Sequence, residues 1–102
     1  MEVRSFILTT GQEMIAQLVQ ENPSSYVIRN PLVAHMMRGA DGQPTLGFAP
    51  WSVLHADNQD IELFSHALIS KPVEIEPDVS KSYIENTTGV ALPPSQGNIL
   101  LG

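Results

Sequence analysis

A mainly β fold is what this sequence predicts: a small, strongly bent, five-stranded antiparallel barrel followed by one C-terminal α-helix. Two observations carry that prediction. Residues 6–32 form short apolar runs separated by turn formers, the mark of an antiparallel meander. Beyond residue 76 the pattern changes to a helical period, introduced by Pro77 and Asp78.

The first turn falls at residues 10–12, where Gly11 tolerates positive φ. The second falls at Asn22, Pro23, Ser24 and Ser25, with Pro23 suited to the second position of a type I turn. Between them Met14, Ala16 and Leu18 alternate imperfectly with Glu13, Gln17 and Val19, as in a strand that bends and buries part of both faces. Residues 26–38 are a long apolar segment with Pro31 at a bend or bulge. Asp41-Gly42 marks a hairpin loop, and residues 45–50 return as a strand followed by Trp51. Residues 54–60 read as a polar loop. Residues 61–69 resume strand character, with Ile61, Leu63, Ser65, Ala67 and Ile69 on one face, and residues 73–75 make a last short strand. In the helix, Val79 and Tyr83 share a face with Ile84 beside them, and they are expected to dock on the end of the barrel. Gly89 supplies the stop. The chain divides into the barrel and helix, residues 1–89, and an irregular tail, residues 90–102, rich in proline and glycine.

At 102 residues the chain makes one domain. It has no cysteine, which excludes disulfides and thiolate metal sites. Its N-terminus lacks the apolar core of a signal peptide, and no apolar run approaches the ~18 residues that span a bilayer. The expected setting is cytoplasmic, with no membrane partner. Eleven acidic residues against five basic ones give a net charge of −6 and a pI near 4.7. The bases Arg4, Arg29, Arg38, Lys71 and Lys81 are scattered, so a lone copy makes a poor nucleic-acid binder.

The pattern of strands, central polar hairpin and helix resembles the Sm-like (LSm-type) proteins, in particular the divergent branch carried by bacteriophages, cyanophages especially. Gly11 stands at the family's first-turn glycine, Ala16 replaces the glycine of strand two, and Leu18 holds the apolar place. Asn22 stands for the aspartate of the next turn, and Ser25-Tyr26 for Met-Asn. The second motif falls on Ile69-Ser70-Lys71-Pro72-Val73. The helix departs from the family, which carries it ahead of the barrel.

The resemblance implies a closed homo-oligomeric ring of roughly five to seven copies, pentamer foremost, because pairing between copies removes free strand edges. It also implies single-stranded nucleic acid, RNA ahead of DNA, on the inner rim, in processing or chaperoning. If phage-encoded, such a ring would work in the host cytoplasm. Tyr26 would stack on bases and Lys71 would meet phosphate. Asn22, Ser25, Ser70 and Arg29 complete the expected nucleic-acid-binding set. The rival reading makes the assembly a structural or protein-interaction ring that binds no nucleic acid, with Tyr26 an ordinary packed aromatic and Lys71 a solvated turn lysine. Trp51 reads as a core or interface anchor.

His35, His55 and His66 show no ligand spacing with Asp57 or Asp60, so neither metal nor cofactor is expected. No serine sits in a nucleophile elbow and no glycine-rich phosphate loop occurs, so the chain does not read as an enzyme.

Overall fold

The computed structural model describes residues 1–52, 54 and 58–88. Six strands and one helix follow in chain order: β1 (Val3–Ile7), β2 (Glu13–Glu21), β3 (Ser25–Arg38), β4 (Pro44–Pro50), β5 (Asp60–Phe64), β6 (Val73–Glu74) and α1 (Pro77–Thr88). The tight connections lie where the turn formers place them. Gly11 has φ 93° and its N–H donates to the Leu8 carbonyl at 2.9 Å. The Asn22 N–H donates to the Ser25 carbonyl at 2.9 Å. Gly42, at φ 82°, turns the β3–β4 hairpin.

All strands join one antiparallel sheet in the order β4-β3-β2-β1-β6, and β5 also pairs with β3. The long strand β3 therefore serves two partners on one edge. Its first half, Ser25 to Arg29, pairs with β5, and its second half, Leu32 to Arg38, pairs with β4. The handover falls at Asn30-Pro31. Asn30 adopts φ 53°, a left-handed conformation that asparagine accepts more readily than most residues. Pro31 has no N–H to offer a ladder. The register between β2 and β3 shifts at the same place, from Ile15↔Leu32 to Gln17↔Arg29, and shifts again beyond Leu18.

The register sorts the side chains onto two faces. On one, Phe6, Leu8, Met14, Ala16, Tyr26, Ile28 and Leu63 form the larger core, with Leu18, Ile61 and Leu68 packed against it. On the other, Val3 and Ile15 meet Tyr83 of α1, and Leu32, Phe48, Ile75, Val79 and Ile84 close around them. Helix α1 thus docks through the three residues its period singled out.

The strongly bent, closed five-stranded Sm-like barrel is overturned. The sheet has six strands and is open, ending at β4 on one side and β6 on the other. Among the described residues no ladder joins those ends. The physical reason lies in the last third of the sheet. The expected strand over residues 61–69 stops at Phe64, gives way to a 3-10 turn at Ser65–Ala67, and returns only as a single bridge from Leu68 to Leu8. Strand β6 comes next and is only two residues long, too short to span to β4. The Gly89 stop and the tail over residues 90–102 lie outside the described residues, as do His55 and Asp57.

Candidate functional site: a half-covered sheet face

Helix α1 covers only part of its face of the sheet. Cross-strand pairs Ser5↔Ile15 and Ile7↔Glu13 place those side chains on that face, as do Ala34↔Phe48 and Met36↔Leu46. The helix takes the end at Val3, Ile15, Leu32 and Phe48. The other end remains a groove of about 390 Å³, floored by Ile7, Ala34, Met36 and Leu46 and walled by Val73 and Val79. That volume lies at the low end of the ~300–1,000 Å³ of ligand-sized pockets. Val73 is 44% and Met36 65% exposed, so apolar surface meets solvent here without cover from the chain's described residues.

Two strand edges flank the groove. Strand β4 pairs with β3 alone and β6 with β1 alone, so each presents main-chain groups outward among the described residues. Prolines stand at both ends of β4, leaving residues 45–49 between them as the stretch whose N–H groups are intact. The polar side chains on the groove side are Ser5, Glu13 and Glu76, with no Lys or Arg lining it among the described residues, while Glu74 and His35 pair with Arg4 and Gly47 and so turn to the opposite face. Ser5 is buried and its hydroxyl donates to Glu13 Oε2 at 3.0 Å, which holds that carboxylate at the floor. Glu76 is exposed at the rim.

The residues expected to bind nucleic acid are divided between other places. Tyr26 is 8% exposed and packs edge-on to Phe6, ring centroids 6.1 Å apart. It lies with Ser70, Lys71 and Pro23 around a shallow depression of about 300 Å³, so Tyr26, Ser70 and Lys71 of the predicted set do come together. Asn22 and Ser25 are engaged with each other: Asn22 Nδ2 donates to Ser25 Oγ at 3.2 Å, and Ser25 Oγ donates to Glu62 at 2.7 Å. Arg29 is paired with Asp60 at 2.7 Å, and that hydrogen bond, with the carboxylate's charge, raises its pKa. The reading as a ring around single-stranded RNA or DNA is corrected with the barrel. The open sheet lacks the closed Sm-like geometry, and the described residues show no nucleic-acid contact surface or subunit ring. The rival protein-interaction ring of phage origin goes with it, since it rests on the same closed barrel.

Sequence reasoning passed over the groove. Its signal is visible in hindsight as small and apolar residues alternating on both arms of the polar hairpin, Ala34 and Met36 before it and Leu46 and Phe48 after it. What hid it was the question of cover, because a period says which face is apolar and not how far a helix reaches across it. Among the described residues no group of three His, Asp or Glu side chains is placed to hold a metal ion, and no helix is long and apolar enough to cross a membrane. No protein-family model matches the chain, and no curated protein matches its sequence.

Proposed function

We propose that this protein is a non-catalytic polypeptide-binding module that takes an extended segment into the groove between β4 and β6. The observation that carries the reading is the uncovered half of the α1 face, apolar on its floor and flanked by free strand edges. A strand added along residues 45–49 would gain main-chain hydrogen bonds from β4 and turn alternate side chains toward Leu46 and Met36 at that side of the groove. That combination favours a polypeptide over a small apolar ligand, which would use the floor and leave the edges idle.

Binding rather than catalysis is supported by the chemistry of the lining. The chain has no cysteine, and the Ser5 hydroxyl donates to a carboxylate rather than to an imidazole, so it is not activated as a nucleophile. A cytoplasmic setting belongs to the same reading, since the fold relies on no disulfide.

A peptide display library panned against the immobilised protein, followed by amide chemical-shift mapping of enriched sequences, tests the proposal. Extended, alternating apolar sequences that shift residues 45–49 and 73–75 are expected. Failure of any enriched peptide to shift those residues overturns it.

A further inference from the structure

We infer that the segment taken by this groove carries basic residues on both sides of an apolar anchor. The inference rests on the polypeptide-binding reading above and adds the charge of the partner. Two carboxylates, Glu13 and Glu76, flank the apolar floor, and no Lys or Arg lines it among the described residues. Glu74 and His35 border the groove through their main chain, since their pairing with Arg4 and Gly47 turns both side chains to the opposite face. The two ion pairs found among the described residues, Arg4 with Glu2 and Arg29 with Asp60, leave both groove carboxylates without a cationic partner.

Charge complementarity then selects the occupant. An acidic segment would bring like charges against Glu13 and Glu76 and would approach a chain of net charge −6. A neutral segment would gain the floor and the β4 edge alone. A segment with Lys or Arg flanking its anchor gains the same floor and edge, pairs with the rim, and is steered toward it from a distance. A second copy of this chain is a poorer occupant, because it would bring its own excess of carboxylates. The rim is solvated, so each pair adds modestly, and the preference should fade with salt.

The test uses three synthetic peptides with one apolar core, flanked by Lys, by Ser or by Glu. Each is titrated into the full chain at low and at high ionic strength. The Lys-flanked peptide is expected to bind about tenfold more tightly than the Ser-flanked one at low salt, with the Glu-flanked peptide weakest. The margin should shrink to about twofold or less at high salt and in the E13Q/E76Q double variant, while the Ser-flanked peptide binds wild type and variant alike. Equal binding of Lys- and Ser-flanked peptides overturns the charge inference and leaves the groove reading standing. No binding by any of the three overturns both. Light scattering on the chain alone gives a further check: self-association abolished by Met36→Asp would make a second copy the occupant and overturn the inference.

Discussion

Tyr83 shows how a single side chain can reconcile two elements. It is fully buried, and its hydroxyl reaches the register shift between β2 and β3. There it accepts from the Gln17 N–H at 3.1 Å and directs its one hydrogen between the Asn30 carbonyl at 2.7 Å and the Arg29 carbonyl at 3.0 Å. These are main-chain groups that the shifted ladder leaves in need of partners, and an unsatisfied buried group costs about 1–3 kcal/mol. Tyr83→Phe keeps the ring and removes the oxygen, so urea unfolding at neutral pH should show a loss of about 1–3 kcal/mol. Burial also pushes the Tyr83 pKa up to about 12, although the Gln17 hydrogen bond pulls against it. A raised pKa means the stability is fully present below the unfolded value, near 10, and is lost as pH climbs from there toward about 12. Wild-type stability should therefore fall across that alkaline window, and the phenylalanine variant should lack this component of the fall.

At the scale of elements, a turn and a helix are each sensitive to change. Gly11 holds φ 93° between β1 and β2, a conformation that an L side chain resists. Gly11→Ala should cost about 1–2 kcal/mol, read as a lower midpoint in urea with an unchanged slope. Helix α1 contributes differently. Its first turn begins at Pro77 with Asp78 toward the positive end of the dipole, but its hold on the sheet is the stripe of Val79, Tyr83 and Ile84. Removing residues 76–102 would expose Val3, Ile15, Leu32 and Phe48 to water. Thermal melts and turbidity should show a lower Tm and aggregation. The same truncation would join the exposed sheet end to the groove as one apolar face, which shows what the helix presently limits.

For the whole molecule, stability and binding should separate by face. Phe6 sits fully buried in the larger core, and Phe6→Ala should cost about 3–5 kcal/mol, a large part of the ~5–15 kcal/mol expected of a domain. On the opposite face, Met36→Asp and Val73→Asp alter exposed positions at the groove and should change stability by no more than about 0.5 kcal/mol. Those two variants should nevertheless lose peptides selected on the wild-type chain, by about tenfold or more in Kd. Calorimetric titration beside denaturant unfolding reads both quantities on the same protein. A groove variant that unfolds the chain would show the exposed face to be structural.

Turns, periods and composition were determined by the sequence itself. Gly11 and Asp41-Gly42 are local requirements of the backbone, legible because few residues tolerate positive φ. The helix over Pro77–Thr88 and its docking stripe follow from a period of 3.6. Closure of the sheet was not local. It turned on whether residues 65–69 continued as a strand, and apolar alternation there is compatible with both outcomes. In the folded chain Ile69 is 65% exposed, and the contact there amounts to the Leu68–Leu8 bridge with the Ile69 N–H donating to the Ile7 carbonyl, so the last edge stays short and the sheet stays open. The candidate site depended on the same decision. Tyr26 took the stacking role from its place at the asparagine of the resembled motif, but it packs edge-on to Phe6 and is buried. Arg29 and Asp60 lie far apart in the chain and meet only because β5 pairs with β3. The groove exists because α1, twelve residues long, covers one end of a face that is apolar from β6 to β4. Periodicity marks a face as apolar, but only the packed arrangement decides how much of it remains to be covered.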